Sequence, residues 1–154
     1  MNIRLLTVGK IKEKYLVDGI NEYKKRLEKY CHLEIIEVQD EKTEGVDSKI
    51  VKEKEGERLE KYLKDDYIIT LEIKGEKLDS VKFSELIDKV KTYNSSSITF
   101  IVGGSLGLSD SIIKKANFHL SFSDLTFPHM LMRLMLLEQI YRSFRILNNE
   151  PYHK

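Results

Sequence analysis

The segment Gly103-Gly104-Ser105-Leu106-Gly107 holds the residue types whose spacing is most suggestive of chemistry in this chain. It matches the G-x-S-x-G pattern of a nucleophile elbow, and Asp124 and later histidines follow it in hydrolase order. An elbow requires a helix that begins directly after the serine, whereas the next helix cap comes only at Ser109 or Asp110. The spacing therefore disfavours a serine hydrolase.

A dinucleotide-binding turn is a second interpretation of the same glycines. Gly103, Gly104 and Gly107 would approach the phosphates, and Asp124, about 20 residues further on, would hold a ribose. The helix between them is short, however, and the half-sheet that should follow such a turn is missing. This interpretation is also weak.

Hydrophobic periodicity divides the chain into alternating strands and helices that must position these residues. The predicted strands cover residues 2–8, 33–38, 67–71, 98–102 and 118–122. The predicted helices cover residues 12–30, 48–64, a segment around 83–93, about 110–116, and 128–147. This alternation predicts one α/β domain with a mostly parallel sheet and helices on both faces.

Two of these helices and one loop carry specific expectations. The inward face of helix 48–64 is predicted to consist of Ile50, Leu59, Tyr62 and Leu63. The inward face of the third helix is predicted to consist of Phe83, Leu86, Ile87, Val90 and Tyr93. Residues 72–77, with Gly75, are predicted to form a loop.

A third interpretation of the glycine turn follows from the predicted sheet. Leu71, Gly103 and Phe122 end three strands that open on one side, and parallel sheets bind ligands at the carboxyl ends of their strands. Glycines there expose backbone groups that can read the edge of an adenine, while apolar neighbours such as Leu108 and Phe127 enclose its faces. The pattern predicts an adenosine-containing cofactor.

The last helix, 128–147, predicts a second subunit. Its apolar residues leave almost no polar face, so both sides must be covered. The sheet covers one side, and a chain of this length has no spare layer for the other. A homodimer is the simplest cover.

Composition excludes several classes of protein. The 154 residues include 26 Lys and Arg against 25 Asp and Glu, so overall charge does not drive nucleic-acid binding. Residues 112–154 nevertheless carry a local basic excess that can place phosphates. One cysteine forms neither an internal disulfide nor a cysteine zinc site, and no metal is expected. No apolar run predicts a membrane span or signal peptide, so a cytoplasmic protein is expected.

Several short motifs together carry a family resemblance. They are Val8-Gly9-Lys10, Lys54-Glu55-Gly56, Thr70-Leu71-Glu72 with Gly75-Glu76, Phe100-Ile101-Val102-Gly103-Gly104 with Gly107-Leu108-Ser109, Leu120-Ser121-Phe122-Ser123, Leu125-Thr126-Phe127-Pro128-His129, Leu137-Glu138-Gln139-Ile140-Tyr141-Arg142, and Pro151-Tyr152-His153-Lys154. In these motifs the chain resembles the RlmH family of SPOUT methyltransferases, over essentially its whole length.

The resemblance implies a single SPOUT domain over residues 1–154, with a C-terminal trefoil knot that holds the cofactor within about 67–147. It implies a homodimer that transfers a methyl group from S-adenosyl-L-methionine to N3 of a pseudouridine, position 1915, in 23S rRNA of the assembled ribosome. The family's cofactor positions carry over onto Leu71, Gly103, Phe122, Ser123, Asp124, Leu125, Thr126 and Phe127. Ser105 is not part of that motif.

The methyl-accepting nitrogen of a pseudouridine is a weakly acidic imide that must lose its proton. The candidates for a base or a cationic stabiliser are His153, Lys154 and Arg142, followed by His129 and Glu138. His129 can instead serve the start of its helix, and Glu138 and Arg142 can simply pair at i and i+4. The C-terminal tail is expected to lie across a catalytic pocket shared between subunits.

A ribosome-binding factor without catalysis is the competing class. It would use the basic C-terminal face to dock on rRNA and would need no cofactor. Saturable binding of S-adenosylmethionine separates the two classes.

Overall fold

A computed structural model describes all residues from Met1 to Lys154 and contains one five-stranded sheet. The strands are β1 (Asn2–Val8), β2 (His32–Val38), β3 (Tyr67–Lys77), β4 (Ser97–Val102) and β5 (Phe118–Ser121). The helices are α1 (Lys14–Leu27), α2 (Ser48–Glu60), α3 (Ser80–Tyr93), α4 (Asp110–Ile113) and α5 (His129–Leu147). The strand order is β2-β1-β4-β3-β5 and every pair is parallel, which confirms the predicted α/β architecture.

Helices cover both faces of the sheet and bury two separate cores. Alternate residues of β1 enter opposite cores, because successive side chains of a strand point to opposite faces. Ile3 and Leu5 pack in the larger core with α1, α3 and α5, whereas Leu6 and Val8 pack in the smaller core with α2 and α4. Burial on both faces explains why four of the seven residues of β1 are branched apolar residues. No helix is long and apolar enough to span a bilayer.

The prediction of a loop over residues 72–77 is wrong, because β3 continues to Lys77. The extension pairs with β5 after a register shift between Leu71 and Glu76, both of which align with Leu120. A Cβ atom on Gly75 would lie 2.7 Å from the carbonyl carbon of Leu120, so the two backbones approach too closely for a side chain. Alternating charges made this segment look like a loop, although they lie along a strand.

The predicted inward faces of α2 and α3 need correction. On α2, Ile50 and Tyr62 are 46% and 44% exposed, and the helix ends at Glu60. On α3, Tyr93 is 80% exposed and Leu86 is half-buried. The buried side chains of α3 are the predicted Phe83, Ile87 and Val90 together with Ser84, whereas those of α2 are Val51, Glu55 and Leu59. The pattern of apolar residues does not predict the inward face of α2, because one of the buried residues on that face is a glutamate.

The ends of the last elements also differ slightly from the prediction. The Ser109 side chain caps α4, which is a single turn, and β5 ends at Ser121. Pro128 lies at the N-cap of α5 and not within its first turn. The predicted end at Leu147 is confirmed.

A buried arginine fixes α5 to the sheet. Arg133 is 1% exposed, and its guanidinium donates to the carbonyls of Val8 and Gly9 and, at 2.7 Å, to the Glu37 carboxylate. Burial lowers the pKa of Arg133 and the ion pair with Glu37 opposes this, but an arginine stays charged at neutral pH. The first half of α5 is therefore tied to the carboxyl ends of β1 and β2.

Replacing Arg133 with Met is expected to lower the free energy of unfolding by about 3 kcal/mol, because two buried carbonyls and one carboxylate lose a charged donor. Denaturant titration measures this loss. Lys14→Met, which removes an exposed pair with Asp18, serves as the control and should change stability little. Equal stability of the two variants would show that the Arg133 contacts contribute nothing.

Candidate active site

A cleft of about 680 Å³ opens at the carboxyl ends of β3, β4 and β5. This volume is within the usual range of small-molecule sites. Its walls come from three segments that are far apart in sequence: residues 71–74, residues 102–108, and residues 121–132. The cleft is where an open parallel sheet is expected to bind its ligand.

The glycine turn forms one wall of this cleft. The Gly107 N–H donates to the Gly104 carbonyl at 3.0 Å, and Gly107 has φ of +90°, a conformation that favours glycine. A Cβ atom on Gly103 would lie 2.7 Å from the Gly107 carbonyl carbon. The turn therefore folds back on itself through backbone contacts that only glycine permits at Gly103.

The hydrolase and dinucleotide interpretations both fail on this geometry. Ser105 lies at the exposed tip of the turn, makes no hydrogen bond to His129 or Asp124, and is separated from α4 by several residues. Asp124 is exposed and forms an ion pair with Lys77, so it is not available for a ribose in the cleft. Neither a triad nor a dinucleotide turn is assembled.

The structure brings together all but one of the residues that the resemblance implies for cofactor binding. Those that line the cleft are Leu71, Gly103, Phe122, Ser123, Leu125, Thr126 and Phe127. The exception is Asp124, which points away from it. Local hydrogen bonds from Leu125 N–H to Ser123 Oγ and from Ser121 Oγ to the Ser123 carbonyl hold the loop before α5.

His129 is the imidazole that lines the cleft. It starts α5 and is half-buried, and its side chain makes no cap to the helix. Burial and then the nearby Arg133 charge lower the pKa of His129, so the ring is neutral at pH 7 and able to accept a proton. The alternative role at the helix start is not observed.

The C-terminal tail docks elsewhere, against the second half of α5. The Tyr152 hydroxyl donates to Glu138 at 2.6 Å, and its ring packs edge-on against Tyr141 with centroids 5.0 Å apart. The Arg142 guanidinium lies 4.7 Å from the Tyr152 ring centroid and pairs with Glu138 at 2.9 Å, as the i,i+4 spacing predicts. Aromatic packing thus orders a tail that would otherwise be free.

His153 and Lys154 extend from this tail into solvent. Arg142 donates to His153 Nδ1 at 3.2 Å, so that nitrogen accepts and carries no proton in this arrangement. Arg142 and His129 are 13 residues apart on one helix, which corresponds to about 20 Å. The tail and the cleft are therefore separate within one chain.

Two carboxylates beside the cleft were not predicted from the sequence. Glu72 lines the cleft and accepts a hydrogen bond from the Thr70 hydroxyl, and its Oε2 also contacts His119 Nδ1. Glu55, on α2, is 4% exposed and packs against Gly104. Val51 and Leu59, four residues before and after Glu55, were the signal that it faces inward.

Comparison with known proteins agrees with this architecture. A family model described as "Predicted SPOUT methyltransferase" matches residues 1–153. The chain belongs to the SPOUT methyltransferase family. A methyltransferase requires a methyl donor, and the cleft at the strand ends has a volume within the range of small-molecule sites.

Curated relatives match the whole chain. Proteins named "Ribosomal RNA large subunit methyltransferase H" from Clostridium acetobutylicum, Clostridium botulinum and Clostridium kluyveri are 55%, 54% and 52% identical. Each alignment covers 100% of both chains. A solved structure titled as a probable methylase family protein from Haemophilus influenzae has a TM-score of 0.58 at 16% identity. It covers 99% of this chain and 70% of that chain, and it supports the fold alone.

Proposed function

We propose that this protein is a homodimeric methyltransferase that transfers a methyl group from S-adenosylmethionine to N3 of a pseudouridine in 23S rRNA of the ribosome. The observation that carries the proposal is the cleft at the strand ends, lined by a glycine turn in a chain that matches the SPOUT methyltransferase family over residues 1–153. The rRNA substrate is supported by relatives more than 50% identical over their full length.

The cleft suits an adenosine-containing methyl donor. Leu71, Phe122 and Phe127 supply apolar surface for the faces of an adenine, while the backbone of the glycine turn supplies hydrogen-bonding groups for its edge. The sulfonium of the donor supplies an already activated methyl group, so alignment with the attacking nitrogen is the main requirement. In this proposal the walls of the cleft orient the donor and exclude water.

The groups that could assist removal of the imide proton lie in two regions of the chain, the cleft and the C-terminal tail. His129 is neutral and beside the cleft, so it can accept a proton there. Burial and the hydrogen bond to Glu138 raise the pKa of Tyr152, so its phenol stays protonated and its one O–H is donated to Glu138. Arg142 is already paired with Glu138, so Lys154 is the tail cation best able to stabilise the imide anion.

A second subunit would bring the tail to the cleft. Because about 20 Å of α5 separates them within one chain, a shared pocket requires two α5 helices that run past each other in opposite directions. Met135 and Ile146 are half-exposed on the side of α5 away from the core and would contact the partner. Leu136 and Ile140 are fully buried inside the subunit and are not available for that contact.

The cofactor proposal predicts that Gly103→Ala weakens binding of S-adenosylhomocysteine by about a hundredfold or more, since a Cβ atom there forces the glycine turn to move. Isothermal titration calorimetry measures the affinity. Ser105→Ala removes a hydroxyl with no hydrogen-bond partner and should bind as the wild type does. No saturable binding to the wild type would favour the ribosome-binding factor without catalysis.

The dimer proposal predicts that Met135→Glu yields a folded monomer, because two unpaired carboxylates would be brought into the subunit interface. Sedimentation equilibrium measures the mass. Tyr93→Glu, at the exposed C-terminal end of α3, replaces another hydrophobic residue on the surface and should remain dimeric. A wild-type protein that is monomeric and fully active would contradict the proposal.

The shared pocket predicts complementation between two inactive variants. His153→Ala with Lys154→Ala keeps Tyr152 packed and should cut methyl transfer to ribosomes by about a hundredfold, the scale of a lost acid–base or electrostatic group. Mixing this variant with Gly103→Ala should recover about a quarter of the wild-type rate, since half of the dimers are mixed and each holds one complete site. If tail and cleft act within one subunit, mixing will recover nothing.

A further inference from the structure

Glu55 is a buried carboxylate with one unsatisfied oxygen. Its Oε2 accepts a hydrogen bond from the Glu41 N–H at 3.0 Å, but Oε1 is buried and has no hydrogen-bond partner. A Cβ atom on Gly104 would lie 2.9 Å from this Oε1, so the carboxylate is in direct contact with the glycine turn. A buried polar atom without a partner costs free energy, so a donor that reached Oε1 would stabilise the charged carboxylate.

Glu55 lines a second pocket that adjoins the cleft. This pocket has a volume of about 460 Å³ and shares Gly104, Ser105 and His129 with the cleft. Its lining has no hydrophobic residues and contains the carboxylates of Asp40, Glu41, Glu44 and Glu55 against the single cation of Lys42. Arg58 neutralises Glu41 through a 2.7 Å ion pair, and the other carboxylates keep the pocket acidic.

We propose that this acidic pocket binds the α-ammonium group of the methionine portion of S-adenosylmethionine, with Glu55 Oε1 as its acceptor. The inference rests on the proposed function and extends it to the residue that recognises the amino-acid end of the cofactor. Glu55 is a binding residue in this view, although it lies on α2, far in sequence from the cleft segments.

Charge and shape both favour an ammonium group. The cleft is apolar around Phe122 and Phe127 and becomes polar toward Gly104 and His129, as a ligand with an adenosine end and a charged amino-acid end requires. An acidic pocket repels RNA phosphates. The carboxylates also do not converge as a metal ligand set. A primary ammonium offers three donors on one atom, which suits a single unsatisfied oxygen beside a backbone turn.

Binding should be coupled to a proton. Burial raises the pKa of Glu55, and the Asp40 and Glu41 charges add to this, while the Glu41 N–H and Arg58 oppose it. His129 faces the same pocket from α5. An ammonium beside Oε1 would favour the charged carboxylate, so the bound ligand should lower the pKa of Glu55 and release a proton over the range between the two values.

The test compares two ligands on two variants by calorimetry. S-adenosylhomocysteine carries the α-ammonium group, whereas 5′-methylthioadenosine keeps the adenosine and lacks the amino-acid end. Glu55→Gln should lower the affinity for S-adenosylhomocysteine at least tenfold and leave the affinity for 5′-methylthioadenosine unchanged. Glu53→Gln, exposed on the outer face of α2, is the matched control and should alter neither affinity.

Each other outcome contradicts the inference. An equal loss of affinity for both ligands in Glu55→Gln would mean that Glu55 only supports the glycine turn. No loss of affinity for either ligand would exclude a contact between Glu55 and the ammonium group. A wild-type protein that binds neither ligand would instead overturn the proposed function, so the two failures are distinguishable. Independently of any variant, wild-type protein should release a proton when it binds S-adenosylhomocysteine at a pH between the pKa values of Glu55 in the bound and the free protein, and none with 5′-methylthioadenosine. Equal release for both would also contradict the inference.

Glu55→Gln should fold. The folded pKa of Glu55 is above its unfolded value, so the wild type loses stability as the pH rises through that interval. The variant should therefore melt at a temperature equal to or above that of the wild type at pH 8, and the difference should vanish below about pH 4, where both states are protonated. A large loss of stability at pH 8 would mean that the charged form of Glu55 is structural.

Discussion

The charged hydrogen bonds of Arg133 determine where α5 lies, and the site depends on that helix at both ends. The guanidinium binds the carbonyls of Val8 and Gly9 and the carboxylate of Glu37, all at the carboxyl ends of β1 and β2. Both terminal nitrogens of this buried guanidinium have acceptors at the strand ends, although Nε has none, and any shift of α5 would break these hydrogen bonds. The same anchor holds His129 in the cleft one turn before it.

The glycine turn connects the two cores of the protein to one ligand site. Gly103 follows directly from β4, whose side chains enter both cores, and Gly104 contacts Glu55 of α2 on the smaller-core side. Backbone-to-backbone approach within the turn leaves no room for a side chain at Gly103. The position of this wall is therefore set by the backbone that leaves the carboxyl end of β4, and alignment of a methyl group requires a wall at a defined position.

The parts of the fold that follow from local patterns could be predicted, and the parts that depend on tertiary contacts could not. Strands β1 and β4 are dense in branched apolar residues because both faces are buried, and their bounds were nearly correct. Residues 72–77 were taken for a loop because their charges hide a strand that only the close approach of β5 explains. The sequence does not single out Glu55, because a charged residue in a helix usually faces solvent. Only the apolar residues at i−4 and i+4 indicate that Glu55 faces inward.

The regions at the two ends of α5 differ in charge, which explains how a chain with almost no net charge can act on a large RNA. The cleft side, near Glu55 and Asp40, is acidic and suited to a cationic cofactor, but this charge repels phosphates. The tail side holds the unpaired cation of Lys154, which attracts them, beside Arg142 and Arg145, which are paired with Glu138 and Glu150. If the acidic and basic groups lay in the same pocket of one subunit, they would neutralise each other. In the dimer that we propose, the acidic cleft of one subunit and the basic tail of the other are separated by the length of a helix within each chain and come together only at the interface. The cleft can then bind the cofactor and the tail can bind RNA without neutralising each other.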